Sequence, residues 1–134
     1  MAMCFGKYSR SVDQKNRIIV PTNFREILGS AIYLVKGDNN RLSVYSSKQW
    51  ETFFTKFAEY NYEDEEAIRR QDEIIDSVTT SKYDKQGRVA LPDEFQNYAS
   101  IKENAVIVGA GNRIDIWDPE TYDEHMKNKG KNKS

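Results

Sequence analysis

Asp13-Gln14-Lys15-Asn16-Arg17-Ile18-Ile19-Val20-Pro21-Thr22-Asn23-Phe24 returns 71 residues later as Asp84-Lys85-Gln86-Gly87-Arg88-Val89-Ala90-Leu91-Pro92-Asp93-Glu94-Phe95. Asp, Arg, Pro and Phe all keep the same offset. A second block, Gly37 and Asn40-Arg41-Leu42-Ser43-Val44-Tyr45, recurs at an offset of 72 as Gly109 and Asn112-Arg113-Ile114-Asp115-Ile116-Trp117. One unit has therefore been duplicated, with a single residue gained between the blocks. Each copy reads as a turn, a short apolar strand, a proline, a short helix and then a strand pair. A segment of about 60 residues buries only roughly 60% of its extended surface, which leaves it marginal. The two copies are therefore expected to share one core under two-fold pseudosymmetry.

Local chemistry sets the elements. Tyr8 to Val12 alternates as a strand does, and Asp13 to Asn16 is the turn that ends it: Asp closes on its own backbone and Asn tolerates positive φ. Copy two puts Gly87 where Asn16 sits, which preserves a left-handed position in both turns. Pro21 and Pro92 suit the first position of a helix, where a missing N–H costs little. Phe24, Ile27 and Leu28, with Phe95, Tyr98 and Ala99, supply its apolar face. Ala31 to Tyr45 and Ala105 to Trp117 read as hairpins around Gly/Asn turns. Helices follow each hairpin: Ser46 and Gln49 can form a capping box, and Asp118-Pro119 starts the equivalent helix. The stripe of Trp50, Phe53 and Phe57 is expected in the core or at a subunit contact. A helix from about Asp64 to Ser77, with Ala67, Ile68, Ile74 and Ile75 on its drier side, bridges the copies. The class is α+β and mainly β. The first repeat with its C-terminal helix is expected over 1–62, an acidic helical connector over 63–79, the second repeat over 80–126, and a Lys-rich, solvated tail over 127–134.

The chain has 134 residues, 38% of them hydrophobic, enough for one compact domain or two interlocked small ones. One cysteine (Cys4) and one histidine (His125) leave no disulfide framework, no zinc cluster and no nucleophilic triad. No Gly-rich phosphate loop and no metal-ligand spacing occurs, so no enzyme, cofactor, metal site or small-molecule substrate is expected. A cytoplasmic home is expected, since no apolar run approaches a membrane span and none serves as a leader. The net charge of −1 is unevenly spread. Residues 51–76 hold nine acids against three bases, a local −6, so the rest of the chain carries +5. Part of that lies in Lys127, Lys129, Lys131 and Lys133, and much of the remainder gathers near the repeated turn.

Those cations are the candidate site. A turn that projects Lys and Arg from a rigid strand can set charge against phosphates, and a guanidinium can also reach the O6/N7 edge of guanine. Arg17 and Arg88 form the expected central pair, with Lys15 and Lys85 as phosphate or base contacts. Arg10, Arg25 and Lys82 are candidate flanking ligands. Asp13, Asn16, Asp84 and Gly87 are expected to build the turns. Asp13 with Arg17, and Asp84 with Arg88, could equally be salt bridges that close each turn, a role usually worth about 0–1 kcal/mol. Arg41 and Arg113 are expected to be structural or at a subunit interface.

The run from Gly6-Lys7-Tyr8 into Asp13 to Arg17, then Pro21, Phe24-Arg25, the second D-x-x-x-R element and Ile114-Asp115-Ile116-Trp117 resembles the bacterial MraZ family from about Gly6 to Tyr122. The resemblance implies tandem AbrB/SpoVT-like swapped-hairpin repeats in a double-split barrel with short flanking helices. It also implies a nucleoid-associated transcriptional regulator of the cell-division and wall gene cluster, which binds promoter repeats in double-stranded DNA as a homo-oligomeric ring. Two positions depart from the family pattern: Asn16, where Gly is usual, and Gln96, where copy one has Arg25. A ring-forming or protein-interaction module without specific DNA binding is the alternative, and a simple antitoxin-like dimer is disfavoured by the covalent doubling.

Overall fold

The computed structural model describes residues 2–60 and 64–131. Copy one runs β1 (Lys7–Ser11), β2 (Arg17–Ile19), α1 (Thr22–Leu28), β3 (Ala31–Lys36), β4 (Leu42–Ser46) and α2 (Ser47–Tyr60). Then α3 (Glu65–Asp76) leads into copy two: β5 (Val78–Lys82), β6 (Arg88–Ala90), α4 (Asp93–Ala99), β7 (Asn104–Gly109), β8 (Arg113–Trp117) and α5 (Pro119–Lys131). The protein is mixed α and β with strands dominating the tandem repeats. Six strands form one antiparallel sheet in the order β1-β7-β8-β4-β3-β5, and β2 pairs with β6 in a separate ribbon. Neither ladder closes into a barrel among the described residues.

The strand order shows how the copies interlock. The first strand of copy one lies on β7 of copy two, and the first strand of copy two lies on β3 of copy one. Between them β4 and β8 pair across the pseudo-dyad, with Leu42 opposite Ile116, Val44 opposite Ile114 and Ser43 opposite Asp115. The inward residues of both copies build one cluster: Ile18, Phe24, Leu34 and Val44 pack with Val89, Phe95, Ile107 and Ile114. Tyr8 meets the Phe24 ring edge-on at 5.4 Å, which fastens β1 over α1.

Several local expectations shift by a residue or a face. Pro21 and Pro92 are the N-cap residues of α1 and α4 rather than their first helical positions, with ψ of 141° and 148°. Pyrrolidine fixes φ, which both positions share, while the extended ψ is set by the chain leaving the ribbon. The Pro21 carbonyl still opens the helix by accepting from Phe24 N at 3.0 Å and Arg25 N at 3.1 Å. Only half of the capping box forms: Ser46 Oγ accepts from Gln49 N at 3.2 Å, but Gln49 Oε1 is buried without a hydrogen-bond partner. Ser46 is still the last residue of β4, in register with Ile32. Asp118 caps α5 as expected, accepting from Thr121 N at 3.1 Å. Trp50 is buried against Tyr33 and Tyr45, whereas Phe53 is 51% exposed and the Phe57 side chain lies outside the described residues. The lysine-rich end is helical through Lys131 rather than a tail from 127 onward. Glu120, Asp123 and Glu124 early in α5 and Lys127 and Lys129 late in it complement the helix dipole, and Asp123 stands four residues before Lys127. Among the described residues, no helix is long and apolar enough to cross a membrane.

Candidate nucleic-acid interface

Each turn is tied by one aspartate that uses both carboxylate oxygens. Asp13 Oδ1 accepts from the backbone N–H groups of Lys15 and Arg17, both at 2.9 Å, and Asp84 Oδ1 accepts from those of Gln86 and Arg88 at the same distance. The fourth residue takes the left-handed conformation in both copies, Asn16 at φ 61° and Gly87 at φ 79°. The second oxygen is left for the arginine. Asp13 Oδ2 accepts from Arg17 Nε at 2.8 Å and Asp84 Oδ2 from Arg88 Nε at 2.6 Å.

The ribbon joins the two turns. Arg17 stands opposite Ala90, Ile18 opposite Val89 and Ile19 opposite Arg88. Ile18 and Val89 are fully buried, so alternation turns Arg17, Ile19, Arg88 and Ala90 to the other face. On that face each arginine also approaches the other copy's aspartate: Arg17 Nη1 lies 3.7 Å from Asp84 Oδ2 and Arg88 Nη1 lies 3.7 Å from Asp13 Oδ2. The result is a two-fold ring of alternating charge with no net charge at its centre. The Arg88 backbone N–H and guanidinium, with the Gln86 N–H, hold the Asp84 carboxyl down at about 2, against a smaller opposing push from desolvation. For Asp13 desolvation pushes upward, but the Arg17 and Lys15 bonds together outweigh it and the carboxyl is also lowered.

The remaining candidates divide. Arg10 donates from Nε to the Ile19 carbonyl at 3.1 Å and lies over the Tyr8 ring, which places it beside the ribbon. Arg25 donates to the Val20 carbonyl and to Thr22 Oγ1, both at 2.9 Å, and its guanidinium covers Gly87 of the opposite turn. Lys15 and Lys85 are exposed and carry no side-chain partner among the described residues. They are not equivalent: the 71-residue offset sets Lys15 against Gln86 and Gln14 against Lys85. Lys82 does not join the group. It follows Ser81, the equivalent of Arg10, and so faces the other way, into a groove lined by Ala31, Tyr33, Glu51 and Thr80.

Asn16 and Gln96 belong to one feature. As Arg25 covers Gly87, so Gln96 covers Asn16, with Gln96 Nε2 3.4 Å from Asn16 Oδ1. A Cβ on Gly87 would stand 2.6 Å from Arg25 Cζ. The larger turn residue therefore faces the shorter helix residue, and the turn without a side chain faces the arginine. The signal was in the sequence, but it needed the knowledge that each helix packs on the other copy's turn.

Arg41 and Arg113 serve the seam instead. Both reach the buried Asp115, Arg41 Nη1 at 3.2 Å and Arg113 Nε at 2.9 Å, while Ser43 Oγ donates to it at 2.8 Å. The Asp115 bond raises the Arg113 pKa above its ordinary value. Cys4 is buried beside Gly111, where desolvation raises its thiol pKa, and His125 stacks on Trp117 at 4.8 Å.

The D-x-x-x-R turn thus occurs twice, once in each copy, and the β2/β6 ribbon joins the pair across one dyad. The profile of the family described as "MraZ protein, putative antitoxin-like" matches residues 3–72 and again 75–134. The chain belongs to the MraZ family. Among MraZ proteins it is 36% identical over 129 residues to the transcriptional regulator MraZ of Dictyoglomus turgidum, covering 93% of this chain and 86% of that one. It is 34% identical to that of Clostridium tetani, covering 92% and 87%, and 31% identical to that of Thermoanaerobacter sp. (strain X514), covering 94% and 88%.

Proposed function

We propose that this chain is a sequence-specific DNA-binding transcriptional regulator of the cell-division and cell-wall gene cluster, acting in the cytoplasm at the nucleoid. Its relatives are named as transcriptional regulators. The observation that carries the reading is the β2/β6 ribbon, with Arg17 and Arg88 on its outward face and Lys15 and Lys85 free at the flanking turns. Three residues at about 3.3 Å each span roughly 10 Å, and a major groove about 12 Å wide admits a two-stranded ribbon. Arg10 and Arg25 flank it as phosphate ligands, and Lys82 would act only at a wider contact. One protomer offers few free cations, so binding several promoter repeats through a homo-oligomeric ring would supply affinity by avidity. Exposed Ile68 and Ile75 on α3 offer apolar surface for such assembly.

The test is a titration of the DNA upstream of the protein's own gene over a salt series. The expected slope of log K against log salt is about −0.9 per phosphate contact. Arg17→Ala combined with Arg88→Ala should abolish specific binding and leave assembly intact, with a modest fall in melting temperature as the ion pairs to Asp13 and Asp84 are lost. The neutral charge ring favours one other reading, a ring-forming module whose arginines only close turns. A slope near zero with the oligomer intact would support that module and refute DNA binding.

A further inference from the structure

The two turns share a backbone but not a surface. Asp13 and Asp84 hold them through identical bonds, and the arginines at the fifth position spend Nε on the same carboxylates. What remains exposed at the tips is the second and third residue of each turn: Gln14 and Lys15 in one, Lys85 and Gln86 in the other. None of the four side chains has a partner among the described residues, and the order of amide and ammonium is reversed between the copies. A glutamine amide offers a donor and an acceptor side by side, the complement of adenine N6 and N7, whereas an ammonium only donates, to guanine O6/N7 or to phosphate. Two-fold related backbones therefore present chemically transposed tips.

We propose that Gln14 and Gln86 are specificity-determining residues that read base edges in the major groove, and that the Gln/Lys transposition makes the preferred DNA site asymmetric about the protein's dyad. This rests on the DNA-binding reading above. The arginines and lysines then supply most of the attraction, and the tip amides supply the discrimination between bases. Because the backbone is matched, an asymmetric operator follows from side-chain order alone.

The experiment uses the full chain and a pool of randomised duplex DNA. Wild type should select a site whose two tip-contacted positions differ. The variant Gln14→Lys with Lys15→Gln keeps composition and net charge and gives both turns the same order. It should select a site symmetric at those positions, lose roughly 5- to 150-fold in affinity for the wild-type site as expected for a good bidentate contact, and keep the wild-type salt slope. Gln14→Ala with Gln86→Ala should keep the slope and flatten base preference at the same positions. All tips are exposed, and unchanged melting curves would verify the fold. An unchanged selected site in both variants, with DNA binding intact, overturns the inference alone. Failure of wild type to bind any duplex at low salt overturns the DNA-binding reading and the inference with it.

Discussion

Asp13 and Asp84 each do two things with one carboxylate, and both depend on its charge. Asp84 is held at about 2 in the folded chain, below the ordinary value of about 3.9. A depressed carboxyl contributes stability that is complete above the unfolded value and disappears as pH falls through the folded one. The turn of copy two should therefore loosen between about pH 4 and pH 2, with Asp13 weakening in the same direction. Following the Gln86 and Arg88 amide resonances through an acid titration measures this; amides that do not move until the whole fold melts would contradict it. The neighbouring positions carry a second prediction. Gly87→Ala puts a side chain at positive φ, at roughly 1–2 kcal/mol, and drives its Cβ onto an Arg25 guanidinium held by two hydrogen bonds. Asn16→Gly gives up only bonds of 3.4 and 3.5 Å and should change stability by less than about 0.5 kcal/mol. Urea denaturation of the two variants checks the asymmetry.

A buried charge joins two elements in the middle of the sheet, where β4 meets β8. Asp115 is 3% exposed and accepts from Arg41, Arg113 and Ser43. Asp115→Ala would leave two guanidinium groups facing each other without an acid, and removing one partner of such a buried set costs about 3–5 kcal/mol. Chemical denaturation should show that loss, and a variant as stable as wild type would mean that water already serves both arginines. Elements of this kind differ in how far residue order reveals them. The doubled motif announces the pseudosymmetry, the left-handed turn residues and both hairpins, because each rests on neighbours in sequence. The partners of β1 and β5 are not legible that way: alternation states that Tyr8 faces inward but not that its ladder runs along the other copy. The same limit hid the Gln96 contact with Asn16. The surface that Lys82 shares with Ala31 and Thr80 follows from strand parity, since one residue along a strand exchanges its faces. At the turn tips the exchange of glutamine and lysine between the copies shows only when position is aligned with position.

At the scale of the molecule, the exchange of strands means that neither copy owns a complete structure. In copy one, β1 finds its ladder on β7 and β2 finds its ladder on β6, while β3 takes β5 as its second partner. Residues 1–62 expressed alone should therefore be unfolded at low concentration and fold only by pairing with a second chain, with a melting temperature that rises with concentration. The seam predicts which pairing wins. The dyad passes between Ser43 and Asp115, so two first copies would set Ser43 against Ser43 and leave both Arg41 side chains without a buried acid. Two second copies would instead set Asp115 against Asp115 and crowd two carboxylates. Mixing residues 1–62 with residues 78–131 restores one acid between two arginines, and should yield the mixed pair in preference to either homodimer. Sedimentation with circular dichroism on the separate and mixed fragments measures this. A folded monomer of either fragment would contradict the interlocked sheet, and equal amounts of all three pairings would show that Asp115 does not select the partner.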